Sequence, residues 1–396
     1  MPTRLVADAK SGQVPRGGRL RAEGKDMRTY CKEVNITSDE HLDYAYEEFS
    51  RGNRTREEFR DFFRITKDNL FEWVRSTVAD RNLVLPPITY FWRVEPTNGK
   101  KRLIGRASAK QQFLDYVCVT ALSDLFEAKV GYHQCASVRG KGQKHARRYI
   151  QKWVRDPKET VYAKLDITKY YPSVDRDVLF RMLERDVRNA DLVWLIEALV
   201  STHRVGLNIG SYLSQYLANY YLSGAYAYAC SLFRVRKGRR GRPDKREKLV
   251  DHVLTYMDDW LLVGHDKANL KSAIRKVAKY LKSVLHVCIK PWKVCHLDCE
   301  PVDMCGYVFR RTRTTIRAGI FRRARRAIMR ARRSRCVTPH IAARIVSYWG
   351  YFKVTACRSF RDRHQLGALV AECRRVISAS AKNGGFHGQD HQLGAA

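Results

Sequence analysis

The stretch Leu254-Thr255-Tyr256-Met257-Asp258-Asp259-Trp260-Leu261-Leu262-Val263 decides how the rest of the chain is read. Apolar and β-branched residues on both sides of Met257-Asp258 predict two strands over residues 252–263, joined by a tight turn. Two adjacent acids inside such a pattern are costly unless something positive holds them. At the tip of a hairpin, both carboxylates reach one point beyond the sheet. A plain Asp-containing β-turn is the bland alternative; the apolar strands on either side weigh against it.

A third acid lies upstream. Tyr162-Ala163-Lys164-Leu165-Asp166-Ile167 closes a short predicted strand, 161–167, and runs on into Thr168-Lys169-Tyr170-Tyr171-Pro172-Ser173-Val174. A strand ending in a carboxylate and then in aromatics offers a metal ligand and a surface for a sugar together. Alone, Asp166 also reads as a helix N-cap, the role expected of Asp175 for a helix over 175–187. Between the two acidic segments lies Gly206-Leu207-Asn208-Ile209-Gly210-Ser211-Tyr212-Leu213-Ser214-Gln215-Tyr216-Leu217-Ala218-Asn219. Its glycines allow close backbone approach to a ligand, although by itself it is a glycine loop before an ordinary core helix.

Converging carboxylates suit phosphoryl transfer, which needs two divalent ions about 3.5–4 Å apart more than covalent chemistry. Mg²⁺, the ion expected, takes hard oxygen ligands and keeps water and substrate oxygens in its shell; Mn²⁺ is the substitute.

Around this centre, helices are predicted over 190–200, 211–232 and 268–285. Upstream, Thr37-Ser38-Asp39-Glu40 reads as a capping box before Leu42, Ala45, Tyr46 and Phe49, with a second helix over 55–78. A hairpin turns at Thr97-Asn98-Gly99-Lys100 into a strand over 101–104, and a helix covers 111–126. Residues 234–248 carry nine basic residues against two acidic ones and read as a solvated loop, with contact to nucleic-acid backbone as the functional alternative. Downstream, 302–310 and 314–316 predict a small hairpin. Ile320, Phe321, Ala324, Ala327, Ile328 and Ala331 form an apolar stripe, and eight Arg between Arg322 and Arg335 fill the opposite face. The order of elements predicts an α+β fold. Its expected divisions are a flexible basic arm (1–25), a helical region (26–85), a central body (86–310), an Arg-rich helical part (311–383) and a disordered tail (384–396).

Composition agrees with a polyanion partner. The 396 residues hold 75 Lys plus Arg against 40 Asp plus Glu, a net charge of +35, as expected where a nucleic acid is held along its length. A basic protein that binds RNA passively would show the same balance. The 11 Cys are scattered without pairing, and no apolar run is long enough to cross a bilayer. Both point to reduced thiols in a cytoplasmic protein. Cys295, Cys299 and Cys305 beside His296 fit no common zinc signature.

Taken in order, Asp166…Tyr171-Pro172-Ser173, Gly210…Ser214-Gln215…Ala218-Asn219 and Tyr256-Met257-Asp258-Asp259 resemble the palm motifs of reverse transcriptases. Lys290-Pro291-Trp292-Lys293 and Met304-Cys305-Gly306-Tyr307 resemble the later palm and primer-grip motifs. Asn98-Gly99-Lys100-Lys101-Arg102-Leu103-Ile104 looks like the fingers motif, and Tyr348-Trp349-Gly350-Tyr351-Phe352-Lys353 like a thumb segment of bacterial enzymes. The resemblance covers residues 86–364. It implies a right-hand polymerase of fingers, palm and thumb, the palm built on an antiparallel sheet with helices. Asp166, Asp258 and Asp259 become the catalytic metal ligands, with the Ile167 backbone carbonyl beside them. Tyr171 lies under the sugar, Lys101 and Arg102 grip phosphates, and Ile209, Gly210 and Gln215 line the incoming nucleotide. Lys293 donates a proton to pyrophosphate or is a surface lysine. Arg322, Arg326, Arg330 and Arg333 contact nucleic acid. The implied partners are a structured RNA template, a primer with its DNA product, and dNTPs. An accessory protein or a second copy of the chain stays open, and no membrane is implied.

Ile209-Gly210…Ser214-Gln215 departs from the Gln-Gly…Ser-Pro pattern of group II intron and retroviral enzymes. It looks closer to diversity-generating retroelements and to the unknown-group and abortive-infection lineage of bacterial antiphage defence. An inactive RNA-binding scaffold that kept the fold is the remaining alternative.

Overall fold

The computed structural model describes residues 29–54, 56–94, 99–138, 140–238 and 243–382. The expected arm, the expected tail and the turn residues Thr97 and Asn98 lie outside them.

Helix α1 (Asp39–Asn53) starts where the Ser38 hydroxyl accepts the His41 N–H. The third helical residue is therefore His41 rather than Glu40, so the expected capping box is a single cap. The expected helix over 55–78 is broken. Two 3-10 turns, Glu57–Phe59 and Phe62–Arg64, precede α2 (Lys67–Ala79), which Thr66 caps afresh. Phe59 and Phe62 turn inward against Phe49, with ring centroids 5.6 and 5.0 Å apart; that packing outweighs helical continuity.

Strands β1 (Thr89–Val94) and β2 (Lys101–Arg106) pair as an antiparallel hairpin. The helix expected over 111–126 is two, α3 (Ala109–Ala121) and α4 (Ser123–Lys129), divided at buried Leu122. Next come α5 (Gln143–Arg155), β3 (Val161–Asp166), the short α6 (Tyr170–Ser173), α7 (Arg176–Asp186) and α8 (Ala190–Ser201). Asp175 caps α7, as expected. Helix α9 (Tyr212–Ser231) leads into a correction: the expected solvated loop contains an antiparallel ribbon, β4 (Phe233–Arg236) and β5 (Lys245–Lys248). Cross-strand pairing of Arg234 with Glu247 offsets the low strand preference of so many cations.

Strands β6 (His252–Tyr256) and β7 (Asp259–Gly264) form the expected hairpin, followed by α10 (Lys267–Val284) and β8 (Val294–His296). A second correction concerns 302–316, which is a three-stranded sheet rather than one hairpin. Strands β9 (Val302–Met304) and β10 (Tyr307–Phe309) turn at Cys305 and Gly306, both in the left-handed region, and β11 (Thr314–Ile316) pairs with β10. The chain closes with α11 (Ala318–Arg333), α12 (Pro339–Lys353), α13 (Arg358–Arg363) and α14 (Leu366–Lys382).

The four-stranded sheet runs β6-β7-β3-β8, antiparallel throughout. Alternate side chains serve opposite faces. Ala163, Leu165, Trp260 and Leu262 join the main core with α9 and α10. Tyr162, Leu254, Leu261 and Val263 pack with α5, β9 and β10. Both faces are covered, which is why the strand reads as an unbroken apolar run. Helices α11 to α14 share a separate core around Ala324, Ile328, Ile345 and Phe352.

One buried charge fixes the start of α9. Asp115 of α3 accepts the Ser211 hydroxyl at 2.8 Å and the Tyr212 N–H at 3.1 Å. Burial pushes its carboxyl up to about 7, against the hydrogen bonds from Ser211, Leu213 and Tyr212. The folded pKa is raised, so this group's contribution is complete below about pH 4 and is lost as pH rises through about 7. At ~1.4 kcal/mol per pH unit, up to about 4 kcal/mol depends on its protonation. Asp115→Asn is therefore expected to flatten the loss of stability between about pH 4 and pH 7. Denaturant melts of both proteins across that range check this; parallel curves would sink it.

Candidate active site

The sheet register brings the acids together. Asp166, last in β3, sits directly opposite Asp259, first in β7. The β6–β7 turn is made by Met257, at φ +55°, and Asp258. Ile167 donates its N–H to the Asp258 carbonyl at 3.3 Å, which ties the end of β3 to the turn. From the other side, the Lys290 N–H donates to the Asp166 carbonyl at 2.8 Å. The three carboxylates and Ile167 thus form one backbone-fixed group.

Their electrostatics ask for positive charge. Burial, then the charges of Asp259 and Asp166, push Asp258 up to about 6, with Arg102 opposing. Asp259 is also raised, by burial and by Asp166, and is opposed by Lys164, Arg317 and Lys100. Asp166 Oδ1 is buried with no hydrogen-bond partner, while Oδ2 takes the Lys290 ammonium at 2.8 Å. Among the described residues no three His, Cys, Asp or Glu side chains close into a metal cage. An all-oxygen, partly open set still fits divalent ions that complete their shells with water and substrate oxygens. The orphaned Asp166 oxygen and the raised carboxyls of Asp258 and Asp259 are the features such ions would satisfy.

Tyr170 and Tyr171 have opposite fates. Lys169 adopts a left-handed conformation and turns the chain. The Tyr170 ring goes into the core, its hydroxyl on the Ala218 carbonyl. Tyr171 stays at the site: its hydroxyl lies 3.9 Å from Met257 Sδ, and its pKa is raised by burial and by Asp258 and lowered by Arg102. The 206–210 loop holds it there. Leu207 donates its N–H to the Tyr171 carbonyl at 2.8 Å, and a Cβ on Gly206 would meet that carbonyl oxygen at 2.4 Å.

The same loop is joined to β2. Gly105 donates its N–H to the Ile209 carbonyl at 3.0 Å, and Gly210, at φ +118°, lies so close that a Cβ would be 2.6 Å from the Gly105 oxygen. Ile209 is half-buried, and Gln215 accepts from Ser137 Oγ at 3.0 Å. Arg102 is the hairpin cation felt by Asp258, and Lys100 the one felt by Asp259. Lys101 lies between them, and strand alternation sets it on the face opposite Arg102.

Lys293 lies elsewhere: its ammonium is held by Glu300 at 2.6 and 2.9 Å. The lysine at the carboxylates is Lys290, which the sequence reading placed in the same motif without a role. Cys295 packs against Glu300, Cys299 is exposed and Cys305 occupies the β9–β10 turn. Arg322, Arg326, Arg330 and Arg333 fall on one face of α11 and line an open groove of about 640 Å³ with Arg325 and Met329. Among the described residues no helix is long and apolar enough to cross a membrane.

No curated protein matches the chain. The family described as reverse transcriptase (RNA-dependent DNA polymerase) matches residues 94–309, more than half of its length, from the end of β1 through β10. The match takes in all three carboxylates, strand β2 and the four-stranded sheet, so the chain belongs to the reverse transcriptases, RNA-directed DNA polymerases of the fingers, palm and thumb fold.

Proposed function

We propose that Asp166, Asp258 and Asp259 hold two divalent ions, Mg²⁺ or in its place Mn²⁺, and that the enzyme extends a primer along a structured RNA. The observation that carries this is the group at the β3–β7 junction, where Asp166 has a buried oxygen without a hydrogen-bond partner and the carboxyls of Asp258 and Asp259 are raised. Bound there, the ions would lower the pKa of the primer 3′-hydroxyl and neutralise the leaving pyrophosphate. The protein supplies the rest. Arg102 and Lys100 draw the triphosphate in by charge-assisted hydrogen bonds, with Lys101 beside them. Tyr171 lies under the sugar. Ile209 and Gly210, fixed to β2 by their backbone, form a wall beside the base, with Gln215 one helical turn beyond. Lys290 keeps Asp166 compensated until substrate arrives. Lys293, held by Glu300, is a surface lysine in this reading. Primer extension with dNTPs on an RNA template, with and without divalent ions, is the direct test.

The biological role we propose is bacterial antiphage defence, on the Ile209…Gln215 departure and on the helical layer of α1 and α2 before the fingers. The same departure also favours a diversity-generating retroelement. A noncoding RNA beside the gene would support defence; a variable repeat beside it would support diversification.

The Arg face of α11 is proposed to hold nucleic-acid backbone. Changing Arg322, Arg326, Arg330 and Arg333 to Gln is expected to lower the log–log salt slope of template–primer affinity by roughly three, at about 0.7–0.9 per contact. An unchanged slope would make the face merely solvated.

A further inference from the structure

The β4–β5 ribbon lies at the opposite end of the palm from the carboxylates. From Asp259 to Gly264, β7 makes five residue steps, about 17 Å at roughly 3.4 Å each. Just beyond it, His265 places Nδ1 2.6 Å from Asp251 and Nε2 3.5 Å from Glu247 of β5. Glu247 also takes Arg234 at 2.9 Å. The root of the ribbon is thereby pinned to the palm.

The register separates its two faces. Arg234, Arg236, Lys245 and Glu247 share one, and Glu247 compensates it. Phe233, Val235, Arg246 and Lys248 share the other, which carries no acid in the paired strands. There the Arg246 guanidinium lies over the Phe233 ring at 3.6 Å, and Val235 is 53% exposed. A flat cation on a ring, exposed apolar surface and a second cation suit a strand that combines phosphates with planar bases. An acidic protein surface would match only the charge.

We propose that this face binds single-stranded RNA of the template outside the polymerase cleft. The proposal rests on the reading of the chain as an RNA-copying enzyme and extends it to a second anchoring site. Such a site would keep a template attached while its copied part moves through the cleft.

The test measures affinity of the full-length protein for three probes: a short RNA–DNA duplex that fits the cleft, the same duplex with a long single-stranded RNA extension on its template strand, and the same duplex with a DNA extension on its product strand. The RNA extension is expected to tighten wild-type binding roughly tenfold. Arg246→Gln with Lys248→Gln should remove that gain and lower the salt slope on the extended probe by about 1.4, two contacts at ~0.7 each. Val235→Asp, at an exposed position that needs no refolding, should also remove the gain. The proposal is overturned if the RNA extension gives no gain, if the gain follows the DNA extension instead, or if the variants weaken binding to all three probes equally. Loss of the catalytic reading is distinguishable, because it would show as primer extension surviving Asp258→Asn.

Discussion

Asp258→Asn is expected to abolish primer extension, by on the order of 10³-fold or more, which is about 4 kcal/mol of barrier at ~1.4 kcal/mol per decade. The same change should leave the ion-free protein more stable. Asp258 is pushed up to about 6 by burial and by the neighbouring charges of Asp259 and Asp166. A raised carboxyl contributes stability below about pH 4 that is lost as pH passes about 6. At neutral pH its charge is thus a cost, and Asn, of the same size, removes it. The gain is on the order of 1–3 kcal/mol. Divalent ions should raise the melting temperature of the wild type, which they bind when folded, and raise it less for the variant. Extension assays and melting curves with and without Mg²⁺ check both halves. Near-wild-type extension would remove Asp258 from the site, and a drop in ion-free stability would refute the electrostatic account.

What was legible in the sequence, and what was not, follows from the range of the forces involved. Residues 252–263 could be read because two apolar strands and a tight turn are local patterns, and because an acid pair in that setting needs a reason. The register of Asp166 against Asp259 could not be read locally, although the order of the motifs implied it. The break at Leu122 has no Gly or Pro to announce it: α3 and α4 part there at a fully buried residue whose backbone leaves the helical region. Phe59, Phe62 and Phe63 have helical spacing, yet 3-10 turns satisfy the same spacing and aim the rings better at Phe49. The β4–β5 ribbon was hidden because strand preference is weak among nine cations, and only the cross-strand pairing with Glu247 shows it. The β9–β10 turn did have a signal, Gly306 after Cys305, that was open to reading. Lys290 and Lys293 are three residues apart in one motif. Which ammonium reaches Asp166 depends on the backbone bridge between Lys290 and that residue, a tertiary fact. Lys100 likewise was read only as part of the turn, because it precedes the strand that aims Arg102 at the same carboxylates.

Tyr171→Ala is expected to raise the incorporation of rNTP relative to dNTP by roughly tenfold to hundredfold, with dNTP synthesis retained. Tyr171 stands between Met257 of the turn, Asp258 and Arg102, and its backbone is clamped by Leu207 and Gly206. Its backbone is therefore fixed beside the turn, with its half-buried ring reaching Met257. A 2′-hydroxyl brought against it would clash or lose its hydrogen bonds, at about 1–3 kcal/mol for the unpaired group; at ~1.4 kcal/mol per decade that is the stated discrimination. Tyr170 is the control. Its ring is buried and its hydroxyl is bonded to the Ala218 carbonyl in α9, so Tyr170→Ala should cost about 3–5 kcal/mol of stability, as large-to-small core changes do. The rNTP to dNTP ratio should then stay put in whatever protein remains folded. Single-nucleotide extension with each substrate, alongside melting curves, separates the two tyrosines. If the ratio moves with Tyr170→Ala and not with Tyr171→Ala, the gate has been assigned one residue too far along the chain. If it moves with neither, selection against the 2′-hydroxyl lies outside this turn, and the wall built by Ile209 and Gly210 is the next place to look.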